Sequence, residues 1–194
     1  EEHTIRKRLL RLTLRRQLSE ELEAILAAKR PLLRAFREQL MATDDAAAIT
    51  LLIRRLNLLS SYLKKRCVLF LKGQEDGQIR ADELSMAVSE TCAYLRPLGL
   101  HVAVEWRLTR AIAAEAALAL FDLFAELLSR AAEEGAANVL CRFEENEMPE
   151  AICMLTCADW IRPWISEWQR RHDLPIEISD LGYALSVRAQ GVSA

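Results

Sequence analysis

Apolar residues recur at steps of four and three through the first third of the chain. Ile5, Leu9 and Leu12 open the series, and Leu18, Leu22, Ile25, Leu32, Phe36 and Leu40 carry it on, with Lys29 as the interruption. Residues so spaced share one side of a helix, so residues 3–42 predict one long helix. Pro31 is expected to kink or break it, because its ring removes a backbone donor and crowds the preceding turn. The stretch MATDDAAA predicts a turn, with Thr43 or Asp44 capping the next helix. There Ile49, Leu52, Leu56, Leu59, Leu63 and Phe70 repeat the spacing. Two long helices with a short connection pack antiparallel. A second apolar row (Leu26, Leu33, Leu51, Leu58) exceeds what one hairpin partner covers, which predicts a four-helix bundle made by two chains. The expected dimer interface is Leu18, Leu22, Ile25, Leu52, Leu56, Leu59 and Leu63. The alternative is a hairpin that packs on its own second domain.

The pattern then changes. KGQEDGQ, residues 72–78, is polar with two glycines and marks an expected boundary: a hairpin over 1–72, a linker over 73–80 and a second domain over 81–194. Residues 81–99 predict a helix closed by Pro97 and Gly99. HVAVEWRL predicts a strand with Val102, Val104 and Trp106 on one face. A long helix follows over 110–134, closed by Gly135. NVLCRF and EAICMLTCAD predict strands, WIRPWISEWQRRH a short helix, and IEIS and YALSVRA a final hairpin. The fold class is α+β, with a mixed sheet and helices on one face.

Composition narrows the partners. The chain has 194 residues, 52% of them hydrophobic, enough for a sizeable core. A formal net charge of −2 argues against a nucleic-acid binder, which is basic over a whole domain. Five cysteines, an odd number without short paired spacings, do not form a secreted disulfide framework. Cys153 and Cys157 fall on one face of a strand and are expected as buried, reduced thiols. His101 and His172 have no neighbours at metal-ligand spacing. The basic run Ile5–Arg16 has leucines interleaved at helical spacing, which fits the solvated face of a coiled coil. Anionic lipid or an acidic protein surface is its alternative partner. The expected compartment is the cytoplasm. Glu1, not methionine, begins the chain, so attachment to an upstream membrane or sensor segment stays open.

A helical hairpin followed by helix–strand–helix–strand–strand–helix–strand–strand resembles the bacterial sensor histidine kinases, over nearly the whole chain. The resemblance implies a dimerisation hairpin and a histidine-kinase-like ATPase α/β sandwich. It also implies three chemical motifs, which this sequence departs from. Related kinases carry a stretch like H-D-E-L-G-x-x-L on the first hairpin helix. SEELEAIL, Ser19–Leu26, is its counterpart, with Ser19 at the phosphoacceptor position, Glu20 at the acidic residue and Glu23 at the glycine. Serine has no imidazole nitrogen to take a phosphoryl group. His3 lies about forty residues before the turn, roughly 60 Å of helix, beyond the reach of a second helix expected to have fewer than thirty residues.

The family's metal-binding helix reads E-x-x-x-N-x-x-[KR]-H. In LFDLFAELLSRAAEEG, Glu126 matches the Glu, Arg130 stands at the Mg²⁺-binding Asn, and Glu133 and Glu134 take the basic and His positions. The nucleotide loop D-x-G-x-G keeps only Asp159, the adenine-reading position, and Trp160 to Pro163 replace its glycines. The glycine-rich lid is missing, and Trp160, Trp164 and Trp168 recur on one helix face. They are expected to fill the volume a purine would enter, or to be ordinary core aromatics.

The resemblance without its motifs implies a catalytically degenerate module that dimerises and acts as a scaffold or regulator in two-component signalling, partnered by a response regulator or a kinase. No catalytic residue, metal or cofactor is expected. The alternatives are a divergent active kinase using ATP and Mg²⁺, and a histidine phosphotransfer protein with a vestigial ATPase domain. The second needs a histidine on the first hairpin helix, and none lies between His3 and His101.

Overall fold

The computed structural model describes residues 2–145, 148–156, 159–172, 174–181 and 184–190, with backbone alone at 2–4, 7–8, 10–11, 14–15, 18, 21–22, 156 and 185. By its contacts the chain divides into two compact units, Glu1–Leu56 and Asn57–Ala194.

Helix α1 spans Glu2–Ala42 and runs through Pro31 without interruption. Helix α2 spans Ala46–Asp76. Asp45 caps α2: its Oδ1 accepts from the Ala47 amide at 3.1 Å and its Oδ2 from the Ala48 amide at 3.3 Å. The expected caps were Thr43 and Asp44. Thr43 instead accepts from the Asp45 amide and holds the turn before the cap, at 3.2 Å. α2 has 31 residues, because the polar stretch from Lys72 continues the helix to Asp76. Gly77, at φ +69°, ends it.

The second unit begins inside α2. Strand β1 (Gln78–Ile79) leads into helix α3 (Ala81–Leu95). A single 3-10 turn over Arg96–Leu98 and left-handed Gly99 close that helix. Strand β2 (His101–Trp106) and strand β3 (Ile112–Ala113) precede helix α4 (Ala114–Glu133). Strands β4 (Asn138–Glu145) and β5 (Pro149–Thr156), helix α5 (Ile161–Gln169), and strands β6 (Ile176–Asp180) and β7 (Ala184–Gln190) complete the order. β1 and β3 form a two-stranded antiparallel ribbon, and the main sheet runs β2-β4-β5-β7-β6. β2 and β4 are parallel, joined through α4, and every other pair is antiparallel.

Alternation along the strands sets the faces. Val139, Cys141 and Phe143 of β4 point inward with Cys153 and Leu155 of β5 and Val187 and Ala189 of β7, all buried. α4 supplies the facing layer with Leu120, Phe121, Phe124, Leu127 and Leu128. Phe143 lies between Trp106 (4.8 Å between ring centroids) and Phe124 (5.6 Å). The opposite face carries charge, with Arg142 of β4 donating to Glu105 of β2 at 2.6 Å. The molecule is α+β, with a mixed five-stranded sheet as expected.

The second half of α2 belongs to this unit through polar as well as apolar contacts. Lys65 pairs with Glu90 of α3, and Lys72 with Glu83 at 3.4 Å. Tyr62 stacks on Phe121 at 5.9 Å. Gly73 lies so close to α4 that a Cβ there would stand 2.5 Å from that of Ala114.

Candidate functional site

Each residue singled out by the sequence has a definite partner or exposure where it is described. Ser19 is exposed on α1, its hydroxyl 3.5 Å from Glu23, and Glu20 is held by Arg16 at 2.7 Å. The side chain of His3 lies outside the described residues, as do those of Leu18 and Leu22. Of the other residues expected at the dimer interface, Leu52 is buried in its own chain, while Ile25, Leu56, Leu59 and Leu63 are half-buried. Within the second apolar row Leu58 is buried, but Leu26 and Leu51 are exposed.

Glu126 and Arg130 share one face of α4, one turn apart. Trp168 of α5, fully buried, donates its indole N–H to Glu126 Oε2 at 3.1 Å. Its ring also stacks on His172 at 3.9 Å between centroids. Trp160 and Trp164 are only half-buried and meet each other edge to face at 6.3 Å. Arg130 pairs with Glu133 at 3.7 Å and with Glu134. A guanidinium has no lone pair for Mg²⁺, which takes hard oxygen ligands, and this one is committed to the carboxylates on its own last turn. Asp159 is exposed in the turn that leads into α5. Among the described residues, no cluster of His, Cys, Asp and Glu is arranged to hold a metal ion, and no helix is long and apolar enough to cross a membrane.

A second cluster has no counterpart in the sequence expectations. Asp122 projects from the apolar face of α4 and is buried. Its Oδ1 accepts from the Tyr62 hydroxyl at 2.9 Å, and Arg66 Nε lies 3.2 and 3.1 Å from its two oxygens. Tyr62 and Arg66 are one turn apart on α2, so one helix face presents both donors. Burial raises the Asp122 pKa from the usual carboxylate range to about 6, while Arg66 and Tyr62 pull it back down. The Tyr62 hydroxyl is pushed far upward, by burial first and the Asp122 charge second. A lone carboxylate inside LFDLF was the signal for this anchor, with Tyr and Arg at i, i+4 in YLKKR as its complement.

Cys153 is a buried, free thiol, as expected. Cys153 pairs across the sheet with Cys141, Sγ to Sγ 3.2 Å. Cys157 lies outside the described residues.

A helical hairpin followed by a mixed sheet layered with helices is the fold of the sensor histidine kinases' dimerisation and ATPase halves. Among solved structures, the chain is similar to the histidine kinase domain of the blue-light activated histidine kinase from Erythrobacter litoralis EL346. That match covers 92% of each chain, at a TM-score of 0.53 and 14% identity. Further matches are a bacterial phosphotransferase (TM-score 0.48, 14% identity, 92% of this chain and 96% of that one) and the cytoplasmic segment of histidine kinase QseC (0.44, 13%, 72% and 95%). No protein-family model matches the sequence, and no curated protein matches it. At such identities the likeness is one of fold.

Proposed function

We propose that this chain is a catalytically degenerate histidine-kinase-like signalling module, which dimerises through its hairpin and acts as a scaffold or regulator in two-component signalling. The state of α4 carries the reading. Arg130 stands where related kinases place a Mg²⁺ ligand and is neutralised by Glu133 and Glu134. Trp168 occupies Glu126 from the α5 side. Ser19 supplies an alcohol at the phosphoacceptor position. The fold is kept while the phosphoacceptor and the Mg²⁺ ligand are replaced, as expected of a protein selected for its surfaces. A response regulator or a kinase is the partner class that the fold suggests, with a second copy of this chain at the hairpin.

Thermal melting of the full chain with millimolar Mg-ATP or a non-hydrolysable analogue tests this. A ligand held only by the folded state stabilises it by RT ln(1 + [L]/Kd), about 2.7 kcal/mol at a hundredfold excess over Kd. The expected result is no change in Tm. A rise of several degrees, or acid-labile phosphate on the chain after incubation with a phosphorylated response regulator, would replace this reading with a divergent kinase or a phosphotransfer protein.

A further inference from the structure

The sulfurs of Cys141 and Cys153 stand opposite each other on β4 and β5, the two strands at the heart of the sheet. Residues directly opposed in an antiparallel pair have Cα atoms about 4.5 or 5.5 Å apart, within the span a disulfide bridges. Both side chains point to the same face, and their sulfurs are 3.2 Å apart with Cys141 donating. Little backbone movement separates this dithiol from a bond. A third thiol, Cys92 of α3, is near enough for its charge to act on Cys141 and for that of Cys153 to act on it. Cys92 lines a cleft of about 700 Å³ together with Val139, two residues before Cys141, and Met154, next to Cys153. Arg96, His101 and Asn138 stand at the same cleft, and its lining residues include no carboxylate. Neither Cys141 nor Cys153 lines this cleft, so an oxidant meets the pair through the residual exposure of Cys153.

We propose that Cys141 and Cys153 are an oxidation site, closing to an intrachain disulfide when the reduced chain meets a peroxide. Cys153 reacts first, because it accepts the hydrogen bond and keeps a trace of exposure (4%), whereas Cys141 has none. Its sulfur attacks one peroxide oxygen and the O–O bond breaks. Cys153 becomes a sulfenic acid, and the departing hydroxide takes up the thiol proton as water. The Cys141 sulfur then attacks the Cys153 sulfur and the S–O bond breaks. The second hydroxide leaves with the Cys141 proton as another water. Two thiols lose two electrons and two protons, and one peroxide becomes two waters. The hydrogen bond to Cys153, and burial after it, hold the Cys141 thiol well above its usual pKa, so Cys141 stays a thiol until a sulfenic acid forms beside it. Disulfides inside reducing compartments are mostly transient and redox-sensing, and this pair has the reach for that use. The site stands on the sheet alone and does not depend on the signalling role.

The test uses the full chain, reduced and then exposed to hydrogen peroxide at neutral pH, alkylated under denaturing conditions and read by mass spectrometry. The expected product has lost two hydrogens and joins the tryptic peptides carrying Cys141 and Cys153, with fragmentation placing the bond at Cys153 and not Cys157. Dithiothreitol reverses it, and the oxidised form melts several degrees higher. In Cys141→Ala the cross-link is absent and dimedone traps a sulfenic acid at Cys153. Both cysteines fully alkylated after peroxide, with oxygen added only at Cys92 or Cys67, would overturn the proposal, and so would a bond between Cys153 and Cys157. The wild-type cross-link decides the matter even where the variant does not fold.

Discussion

At the scale of single residues the anchor at Asp122 has an asymmetry that can be measured. Its folded pKa, about 6, exceeds the ordinary value of 3.8 because burial outweighs the pull of Arg66 and Tyr62. Above pH 6 the fold therefore carries a buried carboxylate at a cost that the unfolded chain does not bear. As pH falls from 6 towards 4, the folded state takes up a proton first and gains stability relative to the unfolded one. At about 1.4 kcal/mol per unit the gain approaches 3 kcal/mol. Asp122→Asn fixes the neutral form, so its Tm at pH 7 is expected to match or exceed the wild type's, and its urea stability to be flatter between pH 4 and 6. Arg66→Gln does the reverse. It leaves the carboxylate without its cation and is expected to cost about 3 kcal/mol with Asp122 ionised, a cost that shrinks as pH falls towards 6 and Asp122 protonates, since losing Arg66 moves its pKa further up. Equal losses in both variants at pH 7 would mean that the pair, not burial, governs the site.

At the scale of elements Gly73 lies inside a helix although its surroundings read as a linker. KGQEDGQ looks like a linker because it is polar and holds two glycines, yet the helix runs through it. Gly77 ends α2 with a positive φ, and Gly73 lets α2 meet α4. Alanine at 73 would gain about 1 kcal/mol in helix propensity, but its Cβ would stand 2.5 Å from that of Ala114, a rigid atom on the first turn of α4. Overpacking of this kind costs roughly 1–3 kcal/mol, so Gly73→Ala is expected to lower the urea midpoint despite its better propensity. A higher midpoint would show that the helices separate easily. The larger elements were legible because they rest on periodicity: the four-and-three seams of α1 and α2, the apolar stripe of α4, and the alternation Val139, Cys141, Phe143. The two-residue ribbon β1–β3 has no period to read. The cross-strand cysteines and the Asp122 anchor depend on register and on packing between distant segments. Ser19 and Arg130 stood out in the sequence as departures from the expected motif and Asp159 as a retained position, but the partner of Glu126 did not, because Trp168 lies 42 residues away.

At the scale of the whole molecule the open question is what covers the hairpin. Leu26 of α1 and Leu51 of α2 are 41% and 40% exposed in the single chain, and Ile53 is 48% exposed. Single exposed leucines need no explanation, but Leu26 and Leu51 belong to a helical row whose other members are withdrawn from solvent, Leu33 half-buried and Leu58 buried. A two-fold interface uses the same patch on both protomers, so each leucine that enters it is buried twice. Full burial of one such side chain is worth about 1.5–3 kcal/mol. Leu26→Glu combined with Leu51→Glu spares the protomer, since both positions already face solvent, but sets like charges into a self-complementary surface. A loss of at least 3 kcal/mol of association raises Kd more than a hundredfold. Light scattering is expected to return about twice 22.0 kDa for the wild type at micromolar concentration and the single mass for the double variant, with unchanged far-ultraviolet circular dichroism. A wild-type monomer would remove the hairpin dimer. A variant that stays dimeric would move the interface off these rows and onto another face of the helices.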